Sequence, residues 1–553
     1  MPKHPLRMIP LGGLGEIGKN MMALEYHRDI ILIDAGVLFP EEDMLGVDLV
    51  IPDVSYLVEN RDRVRAIFIT HGHEDHTGAL PYVLQQLDVP VYAPRLAYGL
   101  ISVKLKEHRA LRGVTLRVME PGKPIKEGVF RVEAFRVCHS IPDAMGLAIH
   151  TPHGLVVHTG DFKIDHTPAQ GQATDLSHLA RICAEGVLLL CSDSTYAEMP
   201  GFTASEQVVG EALERAIDEA PGRVMIATFA SLIARVQQIM DAAARHGRKV
   251  GVVGRSMVDN VKMSLEMGYL SDPYDVLVPV GALRKLPPEQ VVIVTTGSQG
   301  EPTSALVRIA NNDHREVKIM SGDTVVISAT PIPGNETVVS RTIDNLLRQG
   351  ARVLHDRVAT VHVHGHASQE ELKIMLNLTR PKFFVPVHGE YRHLVAHGNI
   401  AQSLGMASED VFIMEDGDVL ELTENAAKVM EKVTAGHIFV DGLQRWDTKS
   451  VVLRDRRILS RDGIVVVTMA IDNAAGRIVR QAEAVCSGFV DLEAYPDLME
   501  RTAKAAMEVA DHIGIGQPVD WSSTSTKIKH GVGNFLYDQT HLRPMIIPVP
   551  LEL

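Results

Sequence analysis

A run of six residues constrains this chain more than any other feature of its sequence. His71-Gly72-His73-Glu74-Asp75-His76 follows directly on the apolar segment 64–70 (VRAIFIT), which has the composition of a buried strand. Three imidazoles and two carboxylates therefore stand together at one strand end, where alternate residues point the same way. Histidine nitrogens and carboxylate oxygens are ligands for zinc and for related divalent ions. The motif predicts a metal centre that can serve two ions.

Four further acidic or histidine residues also follow apolar, strand-like segments. They are Asp34, His139, Asp161 and His388. Each of them alone is as consistent with a polar loop residue as with a metal ligand. Because the same position recurs four times, we expect these side chains to meet the first motif at one rim of the fold.

The composition is that of an ordinary globular chain with no general attraction for polyanions. Of 553 residues, 45% are hydrophobic and 22% charged, and the formal net charge is −14. Any nucleic acid must therefore be bound by local basic residues. No Cys-x-x-Cys pair occurs, which argues against a cysteine-ligated zinc site. Without a membrane-length apolar run or a signal-peptide pattern, we expect a cytoplasmic protein that contacts no membrane.

The pattern of apolar segments changes along the chain and indicates an α/β fold of several domains. Residues 7–34 alternate like antiparallel strands, whereas repeated strand–helix units follow from about residue 222 and predict a parallel sheet covered by helices. Histidine-rich segments return after these units, so the parallel domain reads as an insertion. The predicted parts are 1–215 and 351–445 for the first domain, 216–350 for the insertion, 446–460 for a linker and 461–553 for a small α+β domain.

A dinucleotide fingerprint at the amino terminus is rejected. Gly13-x-Gly15-x-x-Gly18 matches the glycine spacing, and Asp34 stands where an acidic residue is expected. A Rossmann unit needs a helix between its parallel strands, yet the segment 20–26 (NMMALEY) alternates like a strand. We expect the glycines to form a tight turn near the metal rim.

The metal motif and several other segments resemble those of known protein families. The chain resembles the metallo-β-lactamase superfamily in the signature His71-x-His73-x-Asp75-His76 with the later His139 and Asp161. The insertion resembles that of the β-CASP nucleases, as do Asp193, His366 and His388. Segments such as LGGLGEIGKN, HGHEDHTGALPY, PGFTASE and PVHGEYRH are similar to the bacterial ribonuclease J family over about residues 7–445. The resemblance implies a metallo-β-lactamase αββα sandwich with an inserted β-CASP domain and a small C-terminal α+β domain.

The resemblance also implies a ligand set. One metal would be held by His71, His73 and His139 and the other by Asp75, His76 and His388, with Asp161 bridging and Asp34 behind the ligands. Two Zn²⁺ ions per subunit, or Mn²⁺ in one or both positions, can lower the pKa of a shared water and neutralise a phosphate. Asp75, Asp193 and His366 are the expected catalytic residues, and His366 with Asp193 is the candidate proton donor.

Residues 362–368 are the candidate substrate segment. Ser368 and Glu371 match a capping box, so we expect free N–H groups at a helix start where an anion could bind; an ordinary helix start is the alternative. The predicted substrate-binding residues are His362, Val363, His364, Gly365, His366, Ser368 and Ser231. Two residues, His364 and Tyr196, depart from the family pattern.

The implied activity is hydrolysis of single-stranded RNA by 5′→3′ exonuclease and endonuclease action, with a preference for 5′-monophosphate ends, in RNA maturation and decay. The implied partners are a second or further copies of the chain, as homodimer or homotetramer, and other RNA-degradation proteins. Lys163, Arg255 and Arg392 are candidates for holding the RNA backbone, with a solvated surface role as the alternative for each. Two rival classes remain, a small-molecule hydrolase with the same metal core and a metal-bearing scaffold without catalysis.

Overall fold

The computed structural model describes residues 4–41, 44–108, 113–301, 303–332, 335–442, 444–447, 450–472, 477–511 and 520–552. The chain divides into two compact units, Met1–Phe39 with Leu49–Val440 and Pro40–Asp48 with Asp441–Leu553. No helix among the described residues is both long and apolar enough to cross a membrane.

The larger unit begins with strands and short helices that run to residue 193. The strands are β1 (Leu6–Gly12), β2 (Leu14–Gly15), β3 (Met21–Tyr26), β4 (Asp29–Ile33), β5 (Leu49–Pro52), β6 (Val64–Phe68), β7 (Val91–Ala93), β8 (Leu116–Val118), β9 (Ile125–Glu127), β10 (Phe130–Arg136), β11 (Met145–Thr151), β12 (Gly154–His158) and β13 (Val187–Asp193). The helices are α1 (Ser55–Glu59), α2 (Glu74–Thr77), α3 (Leu80–Val83), α4 (Arg95–Glu107) and α5 (Leu176–Cys183).

The middle of the larger unit alternates strands with helices. Its helices are α6 (Gln207–Glu219), α7 (Ile233–Arg245), α8 (Arg255–Met267), α9 (Val280–Leu283), α10 (Ala305–Ala310) and α11 (Glu336–Arg348). Its strands are β14 (Val224–Ala227), β15 (Lys249–Val253), β16 (Val291–Thr295), β17 (Thr324–Ile327) and β18 (Arg352–Leu354). They form one parallel sheet in the order β15-β16-β14-β17-β18, with helices packed on both faces. The predicted parallel insertion is confirmed, although its last strand extends beyond residue 350.

The chain then returns to the first two sheets. This part contains α12 (Gln369–Thr379), β19 (Pro381–Val387), β20 (Gly389–Glu390), α13 (Tyr391–Ser403), β21 (Val419–Leu422), β22 (Ala427–Met430) and β23 (His437–Asp441). One sheet has the order β22-β21-β1-β3-β4-β6-β7-β8 and the other the order β19-β13-β12-β11-β10-β9. Residues 6–430 of the larger unit thus form a two-sheet domain interrupted by the parallel insertion.

Alternating apolar side chains build the core between the two sheets. Leu6, Met8 and Phe68 of the first sheet pack in one buried cluster with Leu147 and Leu189 of the second. Helices cover the outer faces of both sheets with separate apolar clusters. This is the predicted αββα sandwich.

The smaller unit is an α+β domain, as predicted. It contains β24 (Gln444–Asp447), α14 (Val451–Asp462), β25 (Ile464–Asp472), β26 (Arg477–Ser487), α15 (Leu498–Asp511), α16 (Trp521–Thr540) and β27 (Met545–Glu552). Alternate residues of β25, Val465 and Val467, pack with Ile528 and Val532 of α16. The apolar pattern of this part of the sequence predicts a helix over residues 492–512. The helix α15 begins later, at Leu498, and residue 512 lies outside the described residues.

Two helices of the smaller unit were not predicted. The helix α14 lies within the predicted linker 446–460 and continues past it. The helix α16 contains many serine, threonine and glycine residues, which have low helix propensity, so its sequence pattern is weak. Its side chains at i, i+4 and i+8, which include Ile528 and Val532, are buried, and this packing stabilises the helix.

The glycine-rich segment at the amino terminus forms a turn between antiparallel strands. Strands β1 and β3 pair antiparallel, with Met8 opposite Leu24, and no helix intervenes. Gly13, Gly15 and Gly18 all have positive φ, which favours glycine. The rejection of a dinucleotide site is confirmed.

Candidate metal centre

Parallel strands of both sheets deliver the candidate ligands to one place. In the first sheet, Asp34 follows β4 and His71 follows β6, and these strands are parallel neighbours. In the second sheet, Asp161 follows β12, Asp193 ends β13 and His388 follows β19, and these strands are also parallel neighbours. Because the carboxyl ends of parallel strands lie at the same edge, the polar residues that follow them converge.

Three histidines form the first group of candidate ligands, which we call the His71 cluster (His71, His73 and His139). The ligand atoms of this group lie within 4.8 Å of one another. His73 Nδ1 lies 3.0 Å from His71 Nε2 and 3.1 Å from His139 Nε2. His139 Nδ1 lies 2.7 Å from the Gly365 carbonyl oxygen, to which it can donate, and this bond leaves Nε2 free to face the cluster.

Two carboxylates and two histidines form the second group, the Asp161 cluster (Asp75, His76, Asp161 and His388). Their ligand atoms also lie within 4.8 Å of one another. Asp161 Oδ2 lies 3.2 Å from His76 Nε2 and 3.9 Å from His388 Nε2. The same oxygen lies 3.6 Å from His71 Nε2, so Asp161 stands between the two clusters. This position is the one expected of a bridging ligand.

Burial and mutual proximity shift the pKa values of these groups in different directions. Burial opposes protonation of His76, but the carboxylates of Asp161, Asp75 and Asp34 hold its pKa well above the ordinary value. Burial, with the nearby His76 ring, holds the pKa of His71 well below its ordinary value. Burial and the neighbouring His73 lower the pKa of His139 in the same way. Although burial opposes it, the histidines around Asp161, above all His388, hold the pKa of this carboxyl well below its ordinary value. Neutral imidazoles and an ionised carboxylate are the forms that bind a divalent cation.

The donor set fits metal ions of the zinc and manganese type. It consists of imidazole nitrogens and carboxylate oxygens, and the free cysteines Cys138, Cys183, Cys191 and Cys486 belong to neither cluster. The two clusters comprise seven ligand residues, six of them around the buried carboxylate of Asp161, and this number serves two ions better than one. The predicted ligands are therefore all brought together.

Asp34 lies behind His76 rather than within a cluster. Its Oδ2 is 2.8 Å from His76 Nδ1 and accepts a hydrogen bond from the Thr70 hydroxyl, also at 2.8 Å. The Thr70 N–H donates to Asp34 Oδ1 at 2.8 Å. A carboxylate that holds the second nitrogen of a ligand histidine fixes the ring orientation. Asp34 thus has the position predicted for it.

Sequence reasoning missed two residues that hold the Asp75 loop. The Asn20 backbone N–H and side-chain amide both donate to the Asp75 carbonyl, at 3.0 and 3.2 Å. Gly36 packs so closely that a Cβ atom there would lie 1.6 Å from the same oxygen. Asn20 directly follows the glycine motif and could have been noticed on that ground. Gly36 carries no signal that separates it from other glycines.

His366 and Asp193 form a hydrogen-bonded pair beside the Asp161 cluster. His366 Nδ1 lies 2.8 Å from Asp193 Oδ2, while Asp193 Oδ1 accepts hydrogen bonds from the N–H and hydroxyl of Thr195 at 3.0 and 2.8 Å. His366 Nδ1 is also 3.9 Å from Asp161 Oδ2. Burial opposes protonation, but Asp193 raises the pKa of His366 to about 9. The predicted proton donor and its carboxylate partner are thus in contact.

The expected anion site at the start of α12 is not free. The Ser368 N–H donates to Glu371 Oε2 at 2.8 Å, and the next two N–H groups donate to the carbonyls of Met199 and Gly201 at 3.0 and 3.1 Å. Ser368 itself is buried and bonds through its hydroxyl to Thr203. The prediction of free N–H groups at this helix start is therefore wrong for Ser368, because the Glu371 side chain accepts its N–H, and a neighbouring loop accepts the two N–H groups that follow.

The other predicted substrate residues lie in two places. Gly365 approaches His139 so closely that a Cβ atom would lie 2.6 Å from the ring. His362 and Val363 are half-buried, and burial lowers the pKa of His362 to about 3. Ser231 lies apart from them, two residues before the helix α7, which begins at Ile233.

The two departures from the family pattern contact each other. The rings of Tyr196 and His364 stack with centroids 3.6 Å apart and planes 6° from parallel. His364 Nδ1 is 3.0 Å from the His366 carbonyl oxygen, to which it can donate. Burial, with the nearby His366, lowers the pKa of His364 to about 4, so the ring is neutral near pH 7. The stacked rings of Tyr196 and His364 therefore form a flat, uncharged surface beside His366.

The three basic residues predicted to hold the RNA backbone differ in whether their side chains are free to bind it. Lys163 is fully buried, where its ammonium donates to the Ala204 carbonyl at 3.1 Å and lies 3.6 Å from Asp165. Lys163 therefore neither lies on the solvated surface nor is free to contact RNA, and both predictions for it are wrong. Arg392 is exposed but pairs with Glu198 and Glu390. Arg255 is exposed at the start of α8 and lines a cavity of about 490 Å³ with Arg308 and Arg315.

Comparison with known proteins decides the family. Four family models match the chain: the metallo-β-lactamase superfamily at residues 14–167, the β-CASP domain of ribonuclease J at 221–346, the Zn-dependent metallo-hydrolase RNA specificity domain at 351–414 and the ribonuclease J C-terminal domain at 451–553. Ribonuclease J2 of Bacillus subtilis is 43% identical over 548 residues, which is 99% of both chains. The chain belongs to the ribonuclease J family.

Other members of the ribonuclease J family match over similar lengths. Ribonuclease J of Thermus thermophilus is 43% identical over 559 residues, which cover 100% of this chain and 96% of the relative. A solved structure, a protein of unknown function from Enterococcus faecalis, aligns with a TM-score of 0.52 and 17% identity over 76% of this chain and 100% of its own. That likeness concerns the fold alone. The resemblance of the sequence to the ribonuclease J family is confirmed.

Proposed function

We propose that this chain degrades single-stranded RNA by 5′→3′ exonuclease action with additional endonuclease activity, and that it prefers 5′-monophosphate ends. As a member of the ribonuclease J family, the chain is a metal-dependent ribonuclease. We place its action in RNA maturation and decay in the cytoplasm, as a homodimer or homotetramer with other RNA-degradation proteins as partners. The 5′→3′ direction, the endonuclease activity, the 5′-monophosphate preference and the oligomeric state in this proposal come from the family resemblance.

One observation carries the proposal, the position of Asp161 between two groups of ligand residues. Its Oδ2 lies within 4 Å of nitrogens of His71, His76 and His388. We propose two Zn²⁺ ions per subunit, or Mn²⁺ in one or both positions, held by the His71 and Asp161 clusters. Such ions would polarise the scissile phosphate and lower the pKa of a shared water.

The residues next to the ligands would handle the leaving group. Asp193 accepts from His366 Nδ1 and so fixes the ring with Nε2 available for a substrate oxygen. A protonated Nε2 can donate to the 3′ oxygen of the nucleotide that departs when the phosphodiester bond is cut. This general-acid role matches the predicted one. Asp75, in the same cluster as Asp161, would balance the charge of the ions.

Differential end labelling tests the proposal. Single-stranded RNA with a 5′-monophosphate or a 5′-triphosphate, labelled at the 5′ or the 3′ end, would be digested with Zn²⁺, with Mn²⁺ and with a chelator. We expect early release of labelled mononucleotide from the 5′ label, faster for the monophosphate, and no cleavage with chelator. Internal fragments from the triphosphate substrate would report endonuclease action.

Two outcomes would contradict the proposal. Cleavage that starts at the 3′ end, or equal rates for both 5′ ends, would remove the end preference and leave the ribonuclease assignment. Turnover of a thioester or lactone without any RNA cleavage would move the chain to the small-molecule hydrolases that share this metal core. The parallel β-CASP insertion favours the nucleic-acid reading, because a small ester needs no second domain over the site.

A further inference from the structure

An exposed apolar loop lies directly beside the candidate proton donor. In the segment 196–203, which we call the Phe202 loop, the Phe202 side chain is 62% exposed and Met199 is 48% exposed. Exposed side chains of this size are common singly but carry no stabilising burial. None of the roles given above to the catalytic and metal residues uses them.

The Phe202 loop is held rigidly at both ends. At its start, Thr195 donates to the carboxylate of Asp193 and to the carbonyl of His388. At its end, the Thr203 hydroxyl donates to the His366 carbonyl at 2.8 Å, and the Thr203 N–H donates to Glu371 at 2.8 Å. Between them, the carbonyls of Met199 and Gly201 accept hydrogen bonds from the start of α12. Phe202 therefore has an exposed ring on a backbone that cannot fold it inward.

The anchors place the Phe202 loop next to the candidate proton donor. Its neighbour in sequence, Thr203, bonds to the carbonyl of His366, the residue that would serve the leaving oxygen. On the same loop, Tyr196 stacks parallel to His364 and lies 5.8 Å from His366 in a nearly parallel plane. The Phe202 loop thus carries one aromatic ring, Tyr196, against His366 and a second, exposed ring six residues further along the chain.

We propose that Phe202 stacks on a nucleobase of the RNA strand that enters the metal centre. This inference rests on the proposed function, because it needs RNA as the substrate. Every base has a flat face that an aromatic ring can bind without reading sequence, which suits an enzyme that processes many RNAs. A chain with a net charge of −14 gains little from general electrostatic attraction, so stacking is a compensating source of affinity.

The first test compares three proteins as metal-loaded full-length chains. A slowly cleaved phosphorothioate RNA with a 5′-monophosphate would be bound by wild type, Phe202→Ala and Phe202→Trp, with fluorescence anisotropy as the readout. Loss of one stacked base weakens binding about 5- to 150-fold, which is the expected effect of Phe202→Ala. Phe202→Trp should restore affinity, and its new indole fluorescence should be quenched by RNA.

A matched control separates stacking from loss of exposed apolar surface. Leu347 is 50% exposed on the last turn of α11, and that helix runs back from the carboxyl edge of the parallel sheet to the edge where its strands begin. Leu347→Ala should bind RNA as wild type does. Since both side chains are exposed, neither change should lower the melting temperature noticeably.

A second test identifies the base. A single abasic nucleotide would be moved along the RNA, and one position should weaken binding to wild type but not to Phe202→Ala. Equal binding of RNA by wild type and Phe202→Ala, or equal sensitivity of both proteins to every abasic position, would overturn the stacking role alone. Failure of wild type to bind or cleave any RNA would overturn the proposed function as well.

Discussion

His366 Nδ1 lies 2.8 Å from Asp193 Oδ2, and Asp193 is in turn fixed by two hydrogen bonds from Thr195. The histidine is therefore oriented by a residue that ends one strand of the second sheet. Asp193 also stands close to Asp161 and His388, although it belongs to neither ligand cluster as we define them. In the proposed mechanism this pair handles the leaving group while the two clusters bind the metals, and variants of each can test that division.

Replacing Asp193 with asparagine should impair turnover more than metal binding. The change removes the acceptor that orients His366, and loss of general acid–base assistance lowers kcat by about 100- to 10,000-fold. Single-turnover cleavage and metal content by elemental analysis would be measured together. Asp218→Asn breaks an exposed pair, in which Asp218 lies 3.1 Å from His246, and should change neither. An unchanged kcat in Asp193→Asn would contradict the role of the pair.

His76→Ala should abolish cleavage while the fold survives. It removes one ligand of the Asp161 cluster, so the loss should exceed the roughly 100-fold typical of a residue that only orients a ligand. Cleavage rate, metal content and circular dichroism would be recorded beside His246→Ala, a histidine of the inserted domain. Full activity of His76→Ala would disprove the ligand assignment.

Asp34→Asn should lower metal affinity and activity, but less than His76→Ala does. Asp34 has φ +61°, a conformation that asparagine tolerates, so the backbone is kept while the charged acceptor for His76 is lost. We expect metal affinity or activity to fall about 10- to 100-fold. A competition titration with a metal-sensitive chelator measures the affinity. A loss as complete as that of His76→Ala would instead make Asp34 a ligand.

Gly36→Ala should destabilise the loop that carries Asp75 and His76. The new Cβ would lie 1.6 Å from the Asp75 carbonyl, so the backbone must shift, at a cost of about 1–3 kcal/mol or more. We expect a lower melting temperature and a lower metal content. Gly281→Ala has no neighbour within 4 Å of the added carbon and serves as control. Normal stability and metal content in Gly36→Ala would show that the loop can move without consequence.

Removal of the buried Lys19 should destabilise the chain more at high than at low pH. Its ammonium lies 2.9 Å from Glu16 and 3.0 Å from Asp416, so Lys19→Met removes the shared cation from two largely buried carboxylates, of which Glu16 keeps His437 at 2.9 Å. Breaking such a pair costs about 3–5 kcal/mol. Burial already raises the pKa of Asp416 to about 6. Burial raises the pKa of Glu16 as well, but His437 and Lys19 lower it to about 2. Without the lysine, the pKa values of both carboxyls rise, so folding is favoured by protonation and stability is lost as pH increases.

Thermal unfolding of wild type and Lys19→Met at pH 5 and pH 8 tests whether the loss of stability grows with pH. The difference in melting temperature should be larger at pH 8. A difference that is larger at pH 5 would mean that the carboxylates are stabilised by groups other than Lys19.

Much of the metal centre could be predicted because its ligands follow strands that local sequence reveals. Asp161 and His388 each follow an apolar run, and parallel pairing then brings such positions to one edge. Pairing across the chain could not be predicted in the same way. The burial of Lys163 depends on Asp165 and on the Ala204 carbonyl, and the N–H groups at the start of α12 are taken by a distant loop. A local pattern contains no information about such partners.

The fold shows the same division between local and long-range information. The strand–helix alternation of the inserted domain was predictable since apolar periodicity is local. The helix α16 was not, because its serine- and glycine-rich sequence becomes helical through packing of Ile528 and Val532 on β25. Its existence depends on a neighbour rather than on its own composition.

Because the parallel insertion interrupts the two-sheet domain, the two ligand clusters are completed at different times during synthesis. His71, His73 and His139 leave the ribosome before the insertion, whereas His388 and His366 leave after it. A nascent chain therefore carries the complete His71 cluster while the Asp161 cluster still lacks a member. During synthesis the chain remains beside its own messenger RNA, and cleavage that requires both proposed metals would begin only after translation has passed the insertion.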